Sequence, residues 1–366
     1  MIRSWTTPLA AIAVLSLALA GGWFATRLVQ QRDAAPVSSS AYAPCLSLAG
    51  SVDQVDCLSD RFVAGAADAA RGLDGAARSA AVNDYVRAQE REAARDPLLA
   101  GRCHPAMHEL GRSEGRRAAT LAQVPDFPDA SSQLCTAGYV HGLAEGYLVS
   151  TPASEVAAVF PKFCHEAGAR EGCAHGVGHA LLRARVDDRP VAAARGAIER
   201  CQDLPGNFPV NCTNGVYMEL AMRSEPSRVD SDTYVATCRD APGVVQELSC
   251  WSYLGLNLST NDVPASDQPA WCAKASLPGQ FQCLEEYGRI GGVEQVAGCG
   301  ELDVRVELQR RCIVGAIGLQ VGSGHVSLDD ARTACDPVDP AELATFCRDT
   351  AARFADGRAT VESREA

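Results

Sequence analysis

CHEAGAREGCAHGVGHALLRARVDDRPVAAARGAIERCQDLPGNFPVNC, residues 164–212, carries the pattern that decides the fold. It contains two close cysteine pairs, Cys164/Cys173 and Cys201/Cys212, with alanine-rich sequence between them. The same element recurs outward as Cys45/Cys57, Cys238/Cys250, Cys272/Cys283, Cys299/Cys312 and Cys335/Cys347. From Cys164 the first cysteines return at intervals of 37, 37, 34, 27 and 36 residues. A recurrence of roughly 35 residues marks a helix-hairpin array, in which each hairpin buries its apolar face on its neighbours.

In each element the first cysteine closes a helix, as in AARGAIERC and DTYVATC, and a short loop with Pro or Gly follows. The second cysteine is expected to open the next helix, commonly with glycine three residues later, at Gly138, Gly176, Gly215 and Gly315. Local pairing gives seven bridges: Cys45–Cys57, Cys164–Cys173, Cys201–Cys212, Cys238–Cys250, Cys272–Cys283, Cys299–Cys312 and Cys335–Cys347. Cys103 and Cys135 remain and pair with each other. The expected fold class is therefore all-α, an α-solenoid-like array of disulfide-stapled helix hairpins. Hydrophobic residues make up 47% of the chain but aromatics only 6%, so alanine-rich helices bury little area each. Each staple supplies about 3 kcal/mol in the chain-entropy model and offsets that thin core. Between Cys164 and Cys347 the spacing resembles that of disulfide-stapled helical repeats in secreted bacterial proteins. The likeness is one of architecture and implies no activity.

Sixteen cysteines fit either clustered metal ligands in a reducing compartment or a disulfide framework in an oxidising one. The N-terminus favours the second. Arg3 precedes an uncharged run from Ser4 to Thr26, apolar from Pro8 to Ala25, and Arg27 and Arg32 follow. This is an export segment. Ala18-Leu19-Ala20 resembles a cleavage site, yet the apolar run continues through Trp23 and Phe24, long enough to span a bilayer. We read residues 1–29 as a signal anchor, with the inner membrane crossed by residues 5–26, or as a signal peptide if it is cleaved. Residues 30–44 read as a linker, 45–200 as a helical region with a histidine-rich site, 201–357 as further stapled repeats, and 358–366 as a disordered tail. The bulk of the chain is then extracytoplasmic. A net charge of −12 argues against nucleic acid and anionic membrane surfaces as partners, and no phosphate loop or dinucleotide fingerprint is present.

Six of the seven histidines lie between Cys103 and Leu182: His104, His108, His141, His165, His175 and His179. Random placement would give roughly 0.1 pairs at i,i+4 spacing. Here there are two, His104/His108 and His175/His179, and such spacing puts both rings on one helix face. Counted from the opening cysteine, positions +2 and +6 hold His175 and His179, Ala137 and His141, Asn214 and Met218. The face is thus a ligand wall early in the array and ordinary packing later. Gly138, Gly142 and Gly146 form an i,i+4 stripe beside His141 and let a neighbouring backbone approach closely.

Close helices with inward histidine and glutamate are how helical bundles hold metals. The expected ligands are His108, His141, His175 and His179. His104 belongs at the edge of the set, because Pro105 disfavours helical backbone before it and suggests a helix start. His165 and His325 read as structural, and Met218 and Tyr217 as core. Imidazoles suit zinc, copper or iron, and Glu145, Glu109 or Glu219 could complete the shell or act as base. HExxH is absent because residue 112 is Arg, and CxxCH does not occur. Three functions follow: an extracytoplasmic metal site with redox, hydrolytic or metal-handling work; a scaffold that binds an envelope protein or peptide; or a metal-independent acid–base enzyme using His with Glu145 or Glu109.

Overall fold

The computed structural model describes residues 41–48, 51–118, 120, 123–124, 135–164, 170–184, 189–223, 228–322 and 326–357. The expected export segment 1–29, the expected tail 358–366, His165 and His325 lie outside the described residues. The elements among them are α1 (Ala43–Leu46), α2 (Ser51–Ala69), α3 (Gly75–Ala93), α4 (Pro97–Arg117), α5 (Cys135–Leu148) and α6 (Val156–Phe163). They continue as α7 (Arg170–Arg183), α8 (Pro190–Cys201), α9 (Phe208–Met222), α10 (Ser231–Arg239), α11 (Val244–Trp251) and α12 (Leu254–Thr260). The last are α13 (Gln268–Cys272), α14 (Leu277–Gly291), α15 (Val296–Gly300), α16 (Val306–Gly322), α17 (Leu328–Ala334) and α18 (Ala341–Ala355). No strand occurs among the described residues, and no helix there is long and apolar enough to cross a membrane.

The longer helices stack in chain order. α2 packs on α4, α4 on α5, α5 on α7, α7 on α9, α9 on α11 and α12, α11 on α14, α14 on α16, and α16 on α18. Two apolar clusters meet at α5. One holds Phe62, Val86 and Leu110; the other runs unbroken from Val140 to Ala351, across residue 200. Several of the few large aromatics are fully enclosed, among them Tyr139, Tyr217, Tyr234 and Trp251. All eight expected bridges are present and no described cysteine is free. Such a set belongs to an oxidising, extracytoplasmic environment.

Local signals set the helix starts and correct some expectations. The second cysteine opens its helix at Cys135, the first residue of α5, and elsewhere lies inside it. Cys212, Cys283 and Cys347 sit inside α9, α14 and α18, and Cys250 lies near the end of α11. The reason lies in the loops. Proline occupies the first turn of α9 and α14, and the Ser276 side chain accepts from the Gly279 N–H, so these helices begin before the cysteine. Most staples thus tie the end of one helix to the flank of the next, whereas Cys103–Cys135 ties the interior of α4 to the start of α5. Tyr42–Pro44 is not linker: the Tyr42 hydroxyl donates to Gln89 Oε1 at 2.5 Å, its ring meets Phe62 edge-on, and α1 starts at Ala43.

His104 also departs from expectation, since it lies in mid-helix. Asp96 caps α4, accepting from the N–H groups of Leu98 and Leu99, and the helix runs through Pro105 to Arg117. An interior proline removes a helical hydrogen bond at a cost of about 3 kcal/mol. Tertiary packing outweighs that here. Cys103 is bridged to Cys135 with Cα atoms 5.1 Å apart, and Gly138 packs on the His104 carbonyl.

The glycine stripe draws the helices together. A Cβ at Gly138, Gly142 or Gly146 would collide with the carbonyl oxygens of His104, His108 and Arg112 respectively. From the other side, Gly111 and Gly115 press on the carbonyls of Tyr139 and Leu143. The partners ascend together, so α4 and α5 run parallel. Gly176 meets the His141 carbonyl and Gly215 the His175 carbonyl, which extends the same packing to α7 and α9. Gly142→Ala gains about 1 kcal/mol of helix propensity yet forces two backbones apart, so a net loss of about 2 kcal/mol is expected in urea unfolding. Gly322, whose added Cβ would meet only Phe354 at ordinary contact, should tolerate alanine with no loss. A Gly142→Ala chain as stable as wild type would mean that α4 and α5 are free to separate.

Candidate metal centre

Three adjacent parallel helices carry side chains at four-residue spacing on their shared face. They are His104, His108, Arg112 and Arg116 on α4, His141 and Glu145 on α5, and His175, His179 and Arg183 on α7. Four residues is about one helical turn, so the stripes stack as layers. One layer is five imidazoles. The next, one turn further along, is arginine and glutamate.

Within the imidazole layer, His108 Nε2 lies 3.3 Å from His104 Nε2 and 3.3 Å from His141 Nδ1. One imidazole nitrogen carries either one proton or one lone pair, so hydrogen bonding serves only one of these contacts. A metal ion serves both. Nitrogens about 2.0–2.1 Å from a tetrahedral ion stand about 3.3–3.4 Å apart, which matches the observed spacing. The three donor atoms all lie within 4.8 Å of one another. The His175 ring stacks on His141 at 4.3 Å between centroids, and the His179 ring lies 5.1 Å from His108.

Glu145, His179 and Glu219 form a second group of possible ligands. Their charges are already met. Arg112 Nε and Arg183 Nε each stand 2.8 Å from Glu145 Oε1. Arg183 also donates to Glu219, at 3.2 and 3.3 Å. A dication there would sit against two guanidinium groups, so this group is a poorer metal site than the three nitrogens. Glu219 does contact the imidazoles: its Oε2 lies 3.1 Å from His179 Nδ1, within the reach of the carboxylate–histidine contact that orients metal-ligating rings. Glu109 lies at the rim, in ion pairs with Arg112 and Arg116.

All five histidines expected as ligands are thus brought together, His104 as closely as the rest. Glu145 joins the charged layer. Sequence reading missed Arg112 and Arg183, although each follows a histidine by four residues and so had to lie on the same face. It also assigned Met218 to the core, whereas Met218 Sδ lies 3.3 Å from His175 Nε2. No known family matches the chain, and no curated protein or solved structure is significantly similar to it.

Burial pushes the pKa values of His108, His141 and His175 well below the usual 6.5, and the neighbouring imidazoles push the same way. For Glu219, burial would raise the value, but the His179 contact and the Arg183 charge bring it down to about 2. The rings are therefore neutral and ready to bind metal at pH 7. In the unfolded chain they take up protons below about pH 6.5, whereas the folded protein resists this. Stability of metal-free, disulfide-intact protein should hold from pH 8 to 7 and fall between pH 6.5 and 5. The slope should approach 1.4 kcal/mol per pH unit, roughly, for each ring that stays neutral. The Glu219 contribution lies in a separate window, lost only as pH falls from about 4.5 towards 2. Urea unfolding across this range checks the prediction; a flat profile between pH 7 and 5 contradicts it.

Proposed function

We propose that this is an extracytoplasmic helical-repeat protein that holds a transition metal ion through His104, His108 and His141, with His175 and His179 lining the same site. Residues 5–26 tether it to the inner membrane. The observation that carries the reading is His108 Nε2, placed 3.3 Å from two other imidazole nitrogens in a buried layer. Neutral imidazoles favour zinc, copper or iron over calcium or magnesium. The bridge next to His104, the glycine contacts and the His179–Glu219 contact hold the rings rigidly, which suits metal handling or electron transfer at a fixed geometry. Glu145 and Glu109 have arginines on the oxygens that a general base would use, and this supports a role in charge balance.

Protein exported and oxidised in its own compartment should purify with a stoichiometric metal. A His108→Ala/His141→Ala double variant should lose it. Metal added at 1,000 times its Kd should raise wild-type stability by about 4 kcal/mol and leave the double variant unmoved. Metal analysis together with thermal unfolding reads both. Metal-free wild type whose melting temperature ignores zinc, copper and iron would end the proposal.

A further inference from the structure

The imidazole layer has more donors than one ion can use. His104, His108 and His141 converge on one point. His175 and His179 remain, with a sulfur beside His175. His175 Nε2 is 3.3 Å from Met218 Sδ, and the His175 and His179 rings are 5.0 Å apart. His179 is fully buried; its Nδ1 faces Glu219, while its Nε2 has no hydrogen-bond partner. Such a buried nitrogen is destabilising unless a ligand meets it.

Resting on the metal-holding reading above, we propose a second metal position built from His175, His179 and Met218, which takes monovalent copper beside the three-histidine centre. Three observations select that ion. A thioether is a soft donor, favourable to Cu(I) and of little use to zinc. All eight bridges consume the cysteines, so no thiolate competes as the soft ligand. The stacked His141 and His175 rings put the two positions close together, and a single charge repels a neighbouring dication half as strongly as a second dication would. Met218 comes from α9 and the histidines from α7, so this position spans the α7–α9 contact, where Gly215 meets the His175 carbonyl.

The test uses the full exported chain, stripped of metal and titrated anaerobically with Cu(I) against a chromogenic competitor, and separately with Zn(II). Wild type should bind two Cu(I) and one Zn(II). Met218→Leu keeps the side-chain volume and should lose one Cu(I) while keeping its Zn(II). X-ray absorption at the copper edge should find a sulfur neighbour in wild type and none in Met218→Leu. If Met218→Leu does not fold, His175→Gln removes the same position and should give the same single equivalent. A wild type that binds one Cu(I) with no sulfur neighbour overturns the proposal, as does a Met218→Leu chain that still binds two. Failure of the three-histidine centre is distinguishable, because Zn(II) binding would then be missing from wild type itself.

Discussion

The close backbone contact between parallel helices is the constraint on which the rest of this structure depends. Helices kept apart by ordinary side chains could not bring His104, His108 and His141 within a coordination distance of one point. Glycines on both sides of the α4–α5 seam let carbonyl oxygens enter the space a Cβ would occupy. Because the helices run parallel, one step along α4 matches one step along α5, and the four-residue stripes stay in register. Imidazole then faces imidazole, and one turn later arginine faces glutamate. The disulfides keep that register: Cys103–Cys135 joins α4 to α5 next to His104, and Cys164–Cys173 anchors the start of α7.

Burying His108, His141, His175 and His179 beside two glutamates would be costly if any group were left to carry charge alone. The two layers share the problem between them. Burial keeps the rings of His108, His141 and His175 neutral, while the His179 contact and the Arg183 charge keep the Glu219 carboxylate ionised, and Arg112 and Arg183 stand against Glu145. Neutral rings are what a cation requires, and the paired carboxylates do not draw it away. The contact from Glu219 to His179 ties the layers together, so that the charged network also positions one of the rings.

Much of this was legible in the chain. The cysteine spacing identified seven bridges, because short loops between helices leave few alternative partners, and Cys103 and Cys135 were then left for each other. The i,i+4 pairs identified the histidine face, because helix geometry is local. His104 was misjudged because Pro105 reads locally as a helix start, whereas a bridge and a glycine contact from another helix keep α4 continuous. The same limit hid Met218. Its own helix carries no histidine, and only the approach of α9 to α7 brings its sulfur to His175.

The sequence by itself determined an all-helical, disulfide-stapled chain with its histidines gathered near one end, since those properties rest on spacing within a helix or across a short loop. Tertiary structure alone decided which nitrogens converge, which carboxylates are neutralised, and that a thioether joins the imidazoles. Each of those depends on the relative rotation and register of separate helices. Backbone contacts between residues far apart in the chain set that rotation and register, and no local pattern encodes them.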